Sequence, residues 1–303
     1  MIPPFILAMM SLNRVERFGE RKMFYLAPRV IVMRDEDDLS PESLVRLVNE
    51  GSIVPRCTVE EMRIWLDESR SKCEHWRTDG IEVTTAFSDD YPDSLKEIRN
   101  HPFFLYYKGD IAPLSQTNVA IVGTRKPTDA GSKQAKAIAR HLVTREVGIV
   151  SGLALGCDTA GHEGALDGGG YTCAVLAHGL DIVTPAANRS LAERILEGGG
   201  ALVSEHPSGV PPTRRYYVMR NRIQSALSTH VIVIETTLNG GTMHTARFAD
   251  EQDRSLGVLE FPEDQSEDDF RIAVTEITSN LGGYPLGSLD DVTEFVIGMS
   301  EEE

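Results

Sequence analysis

From Asn118 to Phe261 the chain repeats one pattern six times, a short run apolar on both faces followed by a stretch with helical spacing. The runs are NVAIVGT, VGIVSGLA, TCAVLAHG, ALVSEH, HVIVIETT and SLGVLEF, and helix-like segments such as 129–146 and 188–198 lie between them. A strand wetted on one side alternates polar and apolar residues. Runs without that alternation need cover on both faces, which a parallel sheet between two helical layers supplies. The pattern predicts an α/β fold, doubly wound around a mainly parallel sheet. Its ligand site is expected in the crevice at the carboxyl ends of the strands, where the strand order reverses.

The flanking regions read differently. Residues 1–80 are expected to form a small helical domain, with apolar helical spacing over 12–26 and 41–48. A capping-box pattern, Thr58 followed by Glu61, opens a helix over 58–76. Residues 81–117 read as a linker, with Phe103, Phe104, Tyr106 and Tyr107 in an extended segment, and 118–262 as the α/β domain. Residues 263–303 hold twelve acidic residues and one basic, and are expected as an acidic C-terminal segment. Most simply that segment is solvated; a sharper reading is that it mimics nucleic acid and competes for a cationic cleft.

The net charge of −16 is therefore largely a property of the tail. Between His206 and Ile234 there is no acidic residue, while Arg214, Arg215, Arg220 and Arg222 fall inside that interval. Such a patch can hold phosphate whatever the distant tail carries, because screening acts over about 8–10 Å. No apolar run reaches the roughly 20 residues of a membrane span. The opening lacks the basic start and small-residue cleavage site of a signal peptide. Four cysteines without CxxC spacing read as reduced thiols of a cytoplasmic protein.

Four strand ends carry small and polar residues into the expected crevice. The first gives Gly123, Thr124, Arg125 and Lys126, where glycine permits close backbone approach and free amides with Arg125 can hold an anion. The second gives Ser151, Gly152, Gly156 and Asp158, the third Gly179-Leu180-Asp181, and the fifth Gly240, Gly241, Thr242 and Thr245. Their repetition in one sheet suggests a phosphate or nucleotide cleft. Asp158 reads equally as an N-cap, and Tyr216 and Tyr217 equally as core or dimer residues or as base platforms. Neither GxGxxG nor GxxxxGK[ST] is present, which argues against a dinucleotide enzyme or P-loop ATPase. The histidines show no metal spacing, so no metal or other cofactor is expected. His162 and His244 read as helix-surface or cleft-wall residues.

These motifs are recognisable together. GTRKPTDAG, SGLALGCDTAGHEGAL, SEHPSGVPP, MRNRIQSALS and VIVIETTLNGGTMHTARFADEQ, led in by YPDSLKEIRNHPFFLYYKGD, resemble in order and spacing the DNA-processing protein A (DprA or Smf) family over residues 91–262. The resemblance implies an extended Rossmann-like domain that binds single-stranded DNA, forms a homodimer and helps load a RecA-type recombinase during natural transformation. Carried onto this chain, it implies DNA contacts at Gly123, Thr124, Arg125 and Lys126, at Ser151, Gly152, Gly156 and Asp158, and at Arg220, Asn221 and Arg222, which match the family's RNR motif. Arginines neutralise phosphates and glycine loops admit the backbone, so binding is expected to be independent of sequence and non-enzymatic.

The fold is shared with nucleotide-binding sensors and with phosphoribohydrolases that carry PGGxGTxxE. Here Gly240-Gly241-Thr242 resembles the start of that motif. Met243 replaces its third glycine, and Arg247 stands where the catalytic glutamate would be. A nucleotide sensor or N-glycosidase-like protein is thus the competing reading, with Glu235 as the one strand-end carboxylate available to it.

Overall fold

The computed structural model describes residues 2–15, 19–50, 57–262 and 268–298. The chain divides into two compact units, residues 1–91 with 102–106, and residues 92–101 with 107–303.

The first unit contains α1 (Pro4–Leu12), α2 (Gly19–Asp35), α3 (Pro41–Glu50), α4 (Val59–Thr78) and β1 (Glu82–Thr85). Thr58 caps α4 as its sequence pattern predicts, accepting from the Glu61 amide while the Glu61 carboxylate accepts from the Thr58 amide. The helical spacing expected over 12–26 is interrupted, since α1 ends at Leu12 and α2 begins at Gly19. The unit also reaches beyond residue 80. The Phe87 and Phe103 rings pack 5.9 Å apart, and Phe24 meets Phe103 edge-on at 5.1 Å.

The strand β2 (Phe104–Gly109) begins in the first unit and ends in the second. The second unit follows with α5 (Asp93–Lys96), β3 (Asn118–Val122), α6 (Asp129–Val143), β4 (Gly148–Ser151), α7 (Cys157–Asp167) and β5 (Thr172–Leu176). Then come α8 (Arg189–Glu197), β6 (Ala201–Ser204), α9 (Arg214–Ala226), β7 (His230–Val233), α10 (Thr242–Glu251) and β8 (Ser255–Leu259). The chain continues through α11 (Asp268–Asn280), β9 (Tyr284–Leu286) and α12 (Leu289–Ile297). Each of the six apolar runs forms a strand. They lie in the order β6-β5-β4-β3-β7-β8, with β9 added beside β8, and every one of these pairings is parallel.

Both faces of this sheet are covered, which is why its strands do not alternate. Val119 and Ile121 of β3 point with Ile232 of β7 towards α6, α7 and α12. Their chain neighbours Ala120 and Val122 point with Val231 and Val233 towards α10 and α11. Strand order runs outward from β3 through β4, β5 and β6 on one side and through β7, β8 and β9 on the other. The reversal therefore falls between β3 and β7.

Residues 268–298 correct one expectation. They form no solvated tail: α11 and α12 pack on opposite faces and β9 extends the sheet. The acids occupy the outer positions of the helices, while Ala273, Ile277, Leu286, Val292 and Val296 are buried. Residues 263–267 and 299–303, with the remaining acids of the segment, lie outside the described residues.

Candidate nucleic-acid interface

A cleft of about 360 Å³ opens at the carboxyl ends of β3 and β7, the point of strand-order reversal. Ten of the predicted site residues line it: Gly123, Thr124, Arg125, Asp158, Arg220, Asn221, Gly240, Gly241, Thr242 and Thr245. The loop after β3 supplies the first three. Its shape is set by the Thr124 amide, which donates to the Glu235 carbonyl at 2.7 Å, and by the Thr124 carbonyl, which accepts from the Cys157 amide. Arg125 is exposed and lies over the Tyr217 ring, 5.3 Å from its centroid. Among the described residues it makes no ion pair. Lys126, next in the loop, is also exposed.

The opposite wall is the start of α10. Gly241 occupies the N-cap position without a capping side chain, and the Gly241 and Thr242 amides have no intramolecular acceptor among the described residues. Free amides at the start of a helix are suited to an anion. Gly241 has open space where a Cβ would stand, whereas at Gly240 that atom would lie 2.6 Å from the Thr236 hydroxyl. Asn221 ties this wall to α9, accepting from Arg220 Nε at 3.2 Å and donating to the Gly241 carbonyl at 3.3 Å.

Several predicted residues belong to the framework instead. Ser151 is wholly buried and donates to the Ile121 carbonyl at 2.7 Å, joining β4 to β3. Gly152 is small because the Arg220 guanidinium packs on it: a Cβ there would lie 2.2 Å from that group. Gly156 takes φ +83° at the N-cap of α7, and a Cβ would collide with the Thr124 carbonyl. Asp158 is therefore not the N-cap. It sits in the first turn of α7, accepts from the Ala154 amide at 3.2 Å, and is 6% exposed. Burial pushes its carboxyl above the usual range and the nearby Arg220 opposes that shift.

The two arginines of the RNR motif also turn inward. Arg220 donates to the carbonyls of Gly152 and Val175, at the cleft wall rather than its mouth. Arg222 lies away from the cleft. Its Nη1 and Nη2 grip the Glu205 carboxylate at 2.9 and 2.7 Å, and its Nε donates to the Asn100 carbonyl. The expectation that Arg220 and Arg222 together meet phosphate gives way for a geometric reason. Residues two apart on a helix point about 200° apart, so both cannot face one ligand.

Glu235 is likewise occupied. Its carboxylate accepts from the Thr128 amide at 2.8 Å and the Thr128 hydroxyl at 2.6 Å, fastening the residue that caps α6. His162 is wholly buried, in place of the helix surface or cleft wall expected for it. Sequence reasoning missed Gln224 as a lining residue and left Tyr217 undecided; Thr236 and Thr237 of the fifth strand end also line the cleft. Helical spacing from Asn221 would have found Tyr217 and Gln224, which lie four residues before it and three after.

The DNA recombination-mediator protein A family model matches residues 82–294, more than half of the chain. The chain belongs to that family. Protein Smf of Escherichia coli K12 is 36% identical over 208 residues, covering 69% of this chain and 53% of that one. The DNA processing protein DprA of Streptococcus pneumoniae is 40% identical over 173 residues, 57% of this chain and 60% of that protein. The chain spans about half the length of the first curated relatives it matches. Among solved structures, S. pneumoniae DprA superposes with a TM-score of 0.71 at 25% identity, covering 96% of this chain and 97% of that one. A Helicobacter pylori DprA structure, described for its single-stranded DNA binding mode, gives 0.63 at 27% identity over 71% of this chain and 96% of that one. The DprA-type Rossmann-like fold thus accounts for the second unit. No helix among the described residues is long and apolar enough to cross a membrane.

Proposed function

We propose that this protein binds single-stranded DNA in the cleft between β3 and β7 and acts, without catalysis, in DNA processing and recombination. The observation that carries the reading is the meeting, at the strand-order reversal, of the exposed Arg125 with the free amides of Gly241 and Thr242. A cation and two unpaired donors suit a phosphate, and the fold places them where ligands of doubly wound sheets bind. Gly123, Thr124, Lys126, Asn221, Gly240 and Thr245 complete the ligand-facing set. Ser151, Gly152, Gly156 and Arg222 hold it in shape, with Asp158 and Arg220 forming the inner wall.

Family membership and the single-stranded DNA binding described for the H. pylori relative support the substrate class. A RecA-type recombinase as partner, a homodimeric state and a cytoplasmic location extend the same reading. The glycosidic alternative is disfavoured by residue placement: Glu235 is fastened to Thr128 and Arg247 is exposed on α10. The deciding experiment titrates a polythymidine oligonucleotide by fluorescence anisotropy at several salt concentrations. Binding is expected to weaken steeply with salt, and Arg125→Ala to lower the slope of log K against log salt by about 0.7, the value for one phosphate contact to a single strand. Salt-independent binding, or none, would remove the proposal.

A further inference from the structure

We infer that Gln224 and Thr245, at the floor of the cleft, hold the edge of one unstacked nucleobase of the bound strand, and that adenine is the base they favour. The inference rests on the DNA-binding reading above and adds a base preference to it. Gln224 comes from α9 and Thr245 from α10, and both line the cleft. They are 2% and 1% exposed, yet neither the Gln224 carboxamide nor the Thr245 hydroxyl has a hydrogen-bond partner among the described residues. Thr242, one turn before Thr245, is also buried at the cleft, and its hydroxyl has no partner among them either. Buried polar groups are almost always satisfied. Three that line one cleft without partners mark a place for the donors and acceptors of a ligand.

The surroundings of these groups select a flat, uncharged moiety over a second phosphate. Arg125 and Gly241 are exposed at the mouth, where they meet the backbone of the strand. On the inner wall Asp158 and Arg220 oppose one another in charge, so nothing there draws an anion deeper. Val122, Ala154 and Val218 supply apolar surface for the faces of a ring. A few placed polar groups among apolar walls are what a small-molecule site uses to fix orientation. Bases of a single strand can be turned inward and read on their edges. A carboxamide presents a donor beside an acceptor. On the outer edge of the bases only adenine offers the complement, its N6 amino group beside N7. Guanine shows two acceptors there, thymine an acceptor and a methyl group, and cytosine a donor alone. Gln224 Nε2 then donates to N7 while Oε1 accepts from N6, and the Thr245 hydroxyl is free to donate to N1.

The test compares three oligonucleotides of one length by anisotropy: all thymidine, thymidine with isolated adenines, and thymidine with isolated cytosines. Each is titrated against salt with the full chain and with Gln224→Leu, Thr245→Val and Arg125→Ala, and thermal melting confirms that each variant is folded. The parent is expected to bind the adenine-containing oligomer several-fold more tightly than the other two. Gln224→Leu should bring the three affinities together and leave the salt slope unchanged, because it removes a base contact and no phosphate contact. Its melting temperature should be no lower than the parent's, since it replaces an unpartnered buried amide with an apolar group of similar size. Thr245→Val should narrow the adenine preference in the same way. Equal affinities in the parent, or an adenine preference that survives in Gln224→Leu, would overturn the inference. A reduced salt slope in Arg125→Ala would still keep the DNA-binding reading intact. If the parent binds none of the three oligomers, both fall together.

Discussion

At the scale of single residues, polar groups that look alike in sequence separate by what they touch. Arg125 and Arg222 carry the same expectation of phosphate contact, yet one lies over Tyr217 at the cleft mouth and the other is held by Glu205 and Asn100. Glu205→Ala would strand the Arg222 charge in a nearly buried site, and breaking a buried pair from one side costs about 3–5 kcal/mol. Urea unfolding should show that loss. Gly152→Ala sets a Cβ against the Arg220 guanidinium and is expected to cost about 1–3 kcal/mol in the same assay.

His162 gives a pH signature. Its Nδ1 is 2.7 Å from the Thr172 hydroxyl, which itself donates to the Ile149 carbonyl, so Nδ1 carries the proton and Nε2 is buried with no partner among the described residues. Burial lowers its pKa to about 3, against about 6.5 in an unfolded chain. Below pH 6.5 the unfolded chain therefore binds a proton that the fold refuses, and stability falls with pH until about 3. From pH 6.5 to 5 the loss is about 2 kcal/mol. Burial lowers the pKa of His178, His206 and His230 too, and these act in the same sense, while the raised Asp158 acts in the opposite one. The His162 share is the part removed in His162→Gln, read from urea midpoints at pH 7 and pH 5.

Elements were legible where one rule governs them. Six apolar runs became six parallel strands because burial on both faces leaves little freedom in their composition, and the Thr58–Glu61 pattern became a capping box because it is local. The cleft's position followed from strand order alone. Side-chain direction was less readable. RNR on one helix cannot present both arginines to one ligand, but nothing local in the sequence says which face α9 turns to the cleft. Several glycines were credited to ligand approach when their neighbours are Cys157, Arg220 and the Thr124 backbone, contacts made by distant segments. β9 was missed because three residues, two of them exposed, carry almost no pattern. At this scale the cap of α6 gives a further prediction. Thr128→Ala removes the acceptor for the Gly131 amide and a donor to Glu235, and is expected to cost about 1 kcal/mol or somewhat more in unfolding assays.

For the whole molecule, the acidity of the C-terminal segment is a poor guide to its role. The acids among its described residues decorate two helices whose inner faces complete both sides of the sheet. Deleting residues 263–303 would expose Leu259, Val258 and their neighbours and remove at least six buried apolar side chains, a loss on the order of 5 kcal/mol or more. A lower melting temperature is therefore expected from the truncation, in place of the tighter DNA binding that a competing tail would give. Calorimetry together with the polythymidine titration separates the two outcomes.

The reversal of strand order has one more consequence, which concerns time. The two lips of the groove, 123–125 and 236–242, are separated by more than a hundred residues of intervening helices and strands. During synthesis the first lip leaves the ribosome long before the second exists, and β7 must insert beside β3 before any groove is present. A nascent or nicked chain that stops short of α10 would hold most of the sheet and still be blind to its ligand.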